Sequence, residues 1–227
     1  MPLIKVCAVS KAYKSGGNKV EALKNVDLEI KEGEFLALMG PSGSGKSTLL
    51  SILGGLNPPT SGKLLIDDID VYALKPERLA DFRHEYVGFV FQQYQLIPYL
   101  TALENVMLPL AITSRSGKKQ REMAQSVLAK VGLGAKSSRL PNQLSGGEQN
   151  RVAIARAIVN RPPIIFADEP TGSLDTKTAQ DLLALLQTLN RDGLTIIMVT
   201  HNQENLEWVT RAVYIRDGVL DLRPQEF

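Results

Sequence analysis

FLALMGPSGSGKSTLLSIL, residues 35–53, decides the fold. The apolar run Phe35–Met39 reads as a buried strand, and STLLSIL after it has helix-compatible patterning. Between them GPSGSGKS fits G-x-x-x-x-G-K-[ST], a loop whose backbone cradles phosphate groups. Gly43 and Gly45 let the chain bend so that successive N–H groups aim at a β-phosphate, at a helix N-terminus whose dipole favours anions. Lys46 is placed to reach the β- and γ-phosphates, and Ser47 to offer its hydroxyl to Mg²⁺. A Gly/Ser-rich turn with no ligand would account for neither Lys46 nor the position directly after a strand.

Outward from this stretch, Val87–Phe91, Ile164–Ala167 and Thr195–Val199 are short Val/Ile/Phe-rich runs between helix-length segments. They read as buried strands of a mainly parallel sheet, which makes the fold class α/β. IKVCAV and VDLEI, before the phosphate loop, have connections too short for a helical crossover and predict an added antiparallel β layer. Helical patterning over Ala102–Leu110, Lys118–Lys130 and Gly147–Asn160 predicts an inserted helical subdomain, residues 93–160, within a nucleotide-binding core of residues 1–92 and 161–227. AVYIRDGVLDL carries two apolar runs around Asp217-Gly218, a hairpin signal. RSGKKQR, from Arg115, is the one basic cluster and reads as a solvated loop or helix start.

PPIIFADEP ends a buried strand with Asp168 and Glu169 in succession. In open α/β sheets ligands sit beyond the carboxyl ends of strands, so both carboxylates should reach the edge that carries the phosphate loop. Neighbouring residues at a strand end point in different directions, which suits separate tasks. Asp168 would hold Mg²⁺ through its water shell, and Glu169 would polarise a water attacking a γ-phosphate.

Composition bounds the remaining possibilities. Of 227 residues 44% are hydrophobic and 22% charged, ordinary for a globular domain, and a net charge of +2 argues for no nucleic-acid partner. Cys7, the single cysteine, can form no intrachain disulfide, and with two histidines there is no familiar zinc set, so a reducing compartment is expected. MPLIKVCAVSKAYKSGG shows no secretory h-region, and no stretch approaches the ~20 apolar residues that span a bilayer. Any membrane role is therefore expected to run through a partner.

A second glycine pair appears in LSGGEQNRVAIARA, from Leu144. Ser145 and Glu148 have capping-box spacing, and the glycines expose backbone N–H groups at a helix start, a second anion-binding geometry. By spacing alone this is a capped helix. The stretch nevertheless closely resembles the signature motif of ATP-binding-cassette ATPases, and GPSGSGKST and IIFADEP resemble their Walker A and Walker B motifs. The resemblance extends over essentially the whole chain and implies a P-loop NTPase (RecA-like) core, ATP and Mg²⁺ as ligands, and ATP hydrolysis.

In that family two cassettes dimerise head to tail, each signature loop capping the γ-phosphate held by the other's P-loop. The resemblance thus assigns Gly40, Pro41, Ser42, Gly43, Ser44, Gly45, Lys46, Ser47 and Thr48 to ATP in one chain, and Ser145, Gly146 and Gly147 to the ATP of a second copy. Tyr13 stands where an aromatic stacks on adenine. Gln92 matches the glutamine that touches Mg²⁺ and the attacking water, Asp175 the aspartate that crosses the dimer interface, and His201 the switch histidine near the γ-phosphate. Glu148 and Asn150 stand where Gln is common, and Asn202 where Asp is frequent; His84 has no counterpart and is expected at the surface. GPSGSGKSTLLSILGGLNPPTSG and VFQQYQLIPYLTALENVMLPL are most similar to cassettes of lipoprotein release, macrolide efflux and cell division. That likeness implies integral membrane permease partners with few transmembrane helices, and a place on the cytoplasmic face of the inner membrane. YQLIPYL, after Gln92, is where a permease would dock if its side chains face outward instead of packing inside the insert. A regulatory cassette signalling across the membrane to a cell-wall enzyme is the alternative. A DNA-repair ATPase would need a longer coiled-coil insertion, and a translation factor a second cassette.

Overall fold

A computed structural model describes residues 2–15 and 18–221. Its strands are β1 (Pro2–Ser15), β2 (Asn18–Lys31), β3 (Phe35–Met39), β4 (Ser61–Ile66), β5 (Ile69–Asp70), β6 (Val87–Val90), β7 (Ile164–Asp168), β8 (Thr195–Val199), β9 (Arg211–Arg216) and β10 (Val219–Asp221). Its α-helices are α1 (Lys46–Leu53), α2 (Pro76–Tyr86), α3 (Ala102–Met107), α4 (Gly117–Lys130), α5 (Gly146–Ile158) and α6 (Thr176–Arg191). Two sheets form, one in the order β2-β1-β4-β5 and one in the order β10-β9-β3-β8-β7-β6. The first is antiparallel, as IKVCAV and VDLEI predict. In the second, β9, β3, β8, β7 and β6 run parallel and only β10 is antiparallel.

The central strands are buried on both faces, which is why they read as unbroken apolar runs. Their alternate side chains still part company, because a strand repeats every two residues. Leu36, Leu38, Ile164, Phe166, Ile197 and Val199 face a core sealed by α1 and the antiparallel sheet. Phe35, Ile165, Ala167, Ile196 and Met198 face a second core built with α3, α4, α5 and α6. Each helix of that second core has its own local specification. Thr101 and Glu104 form a capping box on α3, Ser116 caps α4, Ser145 and Glu148 cap α5, and Asp175 caps α6. Leu182, Leu183, Leu186 and Leu189 give α6 its buried stripe.

The differences from the sequence expectation are local. β4 was not expected: its first three residues are exposed, so it lacks a buried-strand signature and owes its place to pairing with β1. The Ala102–Leu110 segment is helical only to Met107, then tightens to a 3₁₀ turn over Leu108–Leu110, where Pro109 provides no N–H. Arg115 precedes the α4 cap and donates from Nη1 to Asn160 Oδ1 at 3.1 Å, in keeping with a helix start. β9 and β10 form the expected hairpin, with Asp217 at φ 50° and Gly218 at φ 79°, the paired positive angles of a tight type I′ turn.

Candidate active site

The carboxyl ends of β3, β6, β7 and β8 open on one cavity of about 650 Å³. The loop Gly40–Gly45 enters it from β3, and α1 leaves it. Two glycines are demanded there by space as well as by angle. A side chain on Gly40, at φ 143°, would start 2.1 Å from the Ile215 carbonyl oxygen, and one on Gly45, at φ 107°, 2.4 Å from that of Ala22. No side chain caps α1, so the N–H groups of its first turn stay available to an anion. Ser44 Oγ is buried and has no partner among the described residues, which fits a loop shaped for a ligand. Lys46 is only 7% exposed, and Nζ donates to the carbonyls of Gly40 at 2.8 Å and Pro41 at 2.7 Å. Its charge is thus held inside the curl of the loop.

Across the cavity, Ser47 Oγ donates to Asp168 Oδ1 at 3.3 Å. Burial pushes the Asp168 carboxyl above its usual range and the neighbouring Glu169 adds to this, while the Ser47 bond and Lys46 oppose it. A hydroxyl and a carboxylate facing an open, wet cavity suit Mg²⁺, which takes few protein oxygens and keeps several waters. Glu169 has φ 45°, an unusual angle outside glycine, and the surroundings hold it there. Its N–H donates to Val199 O at 3.0 Å on β8, and its carbonyl accepts from Gly172 N at 3.1 Å. The strained turn sends its carboxylate between two neighbours: Oε1 lies 3.1 Å from His201 Nδ1, and Oε2 accepts from Gln92 Nε2 at 3.4 Å.

Lys46, Ser47, Thr48, Gln92, Asp168, Glu169 and His201 all line this cavity, with Ser42, Gly43, Gly45 and Ala22. Ala22 had no signal in the sequence; only the fold carries β2 over the loop. Tyr13, Ser145, Gly146, Gly147 and Asp175 do not line it. The Tyr13 hydroxyl accepts from Asn57 Nδ2 at 2.7 Å, and Lys11 Nζ stands 5.1 Å from the centre of its ring. Ser145, Gly146 and Gly147 open α5, where Gly147 packs so tightly on α6 that a side chain there would meet Thr178 Cγ2 at 2.3 Å. Asp175 uses both carboxylate oxygens on Thr178, Oδ1 accepting from its N–H at 3.0 Å and Oδ2 from its hydroxyl at 2.6 Å. The starts of α5 and α6 therefore sit side by side, away from the chain's own phosphate loop.

Several supporting residues are not legible in the sequence. Asn150, fully buried on α5, donates from Nδ2 to the carbonyl of Pro170, next to Glu169, and its Oδ1 has no partner among the described residues. Asn205, also buried, donates to Thr171 Oγ1 at 3.2 Å and Thr200 Oγ1 at 2.7 Å, tying the loop after Glu169 to the residue before His201. Arg156 of α5 donates to the carbonyls of Tyr94 at 2.7 Å and Gln95 at 2.5 Å, two residues with positive φ just after Gln92. His84 corrects the surface expectation: it is half-buried, with Nε2 3.0 Å from Pro109 O and in contact with Asn160 Nδ2. The YQLIPYL segment divides between its two expected placements. Leu96 packs against the helical core, whereas Tyr99 is 78% exposed. Gln95 of the same segment lines a mainly apolar groove of about 460 Å³ formed by Leu56, Val87, Phe89, Phe91 and Pro109, with Arg83 and Arg156 also lining it.

The ABC transporter family matches residues 23–172. The chain is 47% identical to the lipoprotein-releasing system ATP-binding protein LolD of Syntrophotalea carbinolica, over 95% of this chain and 96% of that one. It is 47% identical to the macrolide export ATP-binding/permease protein MacB of Rhodopirellula baltica, over 96% of this chain and 32% of that longer one. Among solved structures, the dimeric post-hydrolysis state of the cassette MJ0796 bound to ADP and Pi superposes with TM-score 0.89 at 47% identity, covering 99% of this chain and 100% of that one. MJ0796 is a protein of Methanocaldococcus jannaschii. The chain belongs to the ABC transporter family: it is an ATP-binding cassette with ATPase function, and it resembles the lipoprotein-release and macrolide-efflux members.

Proposed function

We propose that this cassette is the ATP-hydrolysing subunit of a membrane transporter of the lipoprotein-release and macrolide-efflux type. Two copies close head to tail around two ATP molecules, and the cycle of closing and reopening drives permease subunits with few transmembrane helices. The observation that carries the reading is the partition of the site. Lys46, Asp168, Glu169, Gln92 and His201 meet in one cavity, while Ser145–Gly147 and Asp175 stand outside it, available to another chain. The nucleotide-binding core is residues 1–92 and 161–227, the insert is residues 93–160, and Tyr13 supplies the ring for adenine.

In this mechanism the loop N–H groups of Gly43 to Thr48 hold the phosphates and Lys46 neutralises charge on the β- and γ-phosphates. Mg²⁺, when held by Ser47 and Asp168 with help from Gln92, would draw electrons from the phosphate oxygens. Glu169 accepts a proton from the attacking water as its oxygen bonds to the γ-phosphorus and the bond to the β-phosphate oxygen breaks. His201, 3.1 Å from Glu169, steadies that carboxylate and the γ-phosphate edge. Ser145, Gly146 and Gly147 complete the phosphate shell from the second copy, and Asp175 lies at the same interface. The groove between Leu56 and Pro109 receives the permease, whose membrane position puts the cassette on the cytoplasmic face of the inner membrane. Among the described residues no helix is long and apolar enough to cross a membrane.

The test is an affinity pull-down of the Glu169→Gln chain from detergent-solubilised membranes with ATP and Mg²⁺, followed by mass spectrometry. Recovery of a permease with few membrane spans is the expected result. Recovery of soluble proteins or ribosomes alone would remove the transporter assignment.

A further inference from the structure

We propose that Lys136 is a charge-compensating residue for the second-copy phosphate site, cancelling the carboxylate that Glu148 places at the mouth of α5. The proposal rests on reading Ser145–Gly147 as the clamp for the terminal phosphate of ATP bound to a second copy. Glu148 sits in the first turn of α5 and folds back, so that Oε2 accepts from the Ser145 N–H at 3.0 Å. The same contact that caps the helix thus brings a negative charge to the end where a phosphate would arrive. Left alone, that charge would repel the phosphate and offset the favourable helix dipole.

Glu148 is not left alone. Its other oxygen, Oε1, accepts from Lys136 Nζ, which projects from a separate 3₁₀ turn, Gly134–Lys136. The Lys136 bond, followed by the Ser145 bond, holds the Glu148 carboxyl below its usual range. Side-chain exposures of 48% for Lys136 and 25% for Glu148 put the pair at the surface. Surface pairs contribute little to folding, so its consequence lies in the local field.

The two members can be separated experimentally. Lys136 makes no part of the capping box: Ser145 Oγ accepts from Glu148 N at 3.3 Å and the reciprocal bond joins Glu148 to Ser145, neither through the lysine. Lys136→Met therefore removes a charge and leaves the helix start intact. Glu148→Gln removes the opposite charge and keeps a side chain that also suits a capping box.

The experiment measures ATP-driven dimerisation by sedimentation of the full chain carrying Glu169→Gln, alone and combined with Lys136→Met, with Glu148→Gln, and with both. At about 50 mM salt Lys136→Met should weaken the dimer at least roughly tenfold, because each of its two sites loses one poorly screened charge several ångströms from a phosphate. The difference should shrink at about 500 mM salt, where screening is short-ranged. The combination with Glu148→Gln, which like the native pair carries no net charge, should recover the affinity of the Glu169→Gln parent. Undiminished dimerisation of the Lys136→Met chain would overturn the proposal, as would a double variant as weak as Lys136→Met alone. If the Glu169→Gln parent stays monomeric with ATP, the second-copy clamp itself is wrong and the proposal falls with it.

Discussion

Replacing Glu169 with Gln should separate chemistry from binding at this site. The side chain keeps its shape, and the neighbouring groups can keep their bonds. The amide oxygen can accept from Gln92 Nε2, which lies 3.4 Å from Oε2, while the amide nitrogen can donate to His201 Nδ1, 3.1 Å from Oε1, once that imidazole carries its proton on Nε2. What disappears is the proton acceptor. General-base assistance is typically worth about 10²–10⁴-fold in rate, so the activation free energy should rise by about 2.7–5.4 kcal/mol. ADP affinity should not change, because the phosphate-loop contacts of Lys46 and Ser47 do not pass through Glu169. Stability should not fall either: Glu169 is one of the charges pushing the Asp168 carboxyl upward, and the substitution removes that repulsion. The assay is phosphate release against ATP concentration, with ADP binding by calorimetry and thermal melting on the same preparations. A kcat within about tenfold of the native chain would refute the base assignment, being below the range such a group contributes. A parallel loss of ADP affinity would show that the carboxylate supports the fold of the loop instead.

Three further outcomes follow from contacts elsewhere. Gly54→Ala would place a methyl 1.9 Å from Phe89 Cζ, and Phe89 is stacked on Phe91 and tilted on Phe166, so overpacking should cost about 1–3 kcal/mol in urea unfolding. Asn205→Ala should cost about 1–3 kcal/mol by stripping Thr171 and Thr200 of a buried donor, and should lower kcat more than it raises KM, because Glu169 and His201 lose a shared tether. Glu104→Gln should lower the melting temperature at neutral pH but not in acid. The Thr101 side chain, followed by its backbone N–H, holds the Glu104 carboxyl below its ordinary 4.5. A depressed folded-state pKa contributes stability above the unfolded value and loses it as pH falls through the folded one, so native and variant melting curves should converge as pH falls below the ordinary 4.5 and through the depressed folded value.

The sequence by itself determined whatever depends on near neighbours. GPSGSGKST demanded a bent loop because Gly40, Gly43 and Gly45 adopt angles that side chains rarely tolerate. Ser145 with Glu148 specified a helix start within one turn, and the runs at Phe35, Ile164 and Thr195 specified strands covered on both faces. Asp168 and Glu169 were legible because a strand end in an open α/β sheet already points to a ligand edge. The tertiary structure alone decided which strand ends meet. The order β10-β9-β3-β8-β7-β6 brings Gln92, Glu169 and His201 together from three strands that lie far apart in the chain. It also decided the ties of Asn150 to Pro170, Asn205 to Thr171 and Thr200, and His84 to Pro109. Such bonds join a common polar side chain to groups remote in sequence and leave no periodic or compositional trace. Strand order likewise follows from packing two cores against opposite faces of one sheet, a property of the assembled chain and not of any local stretch.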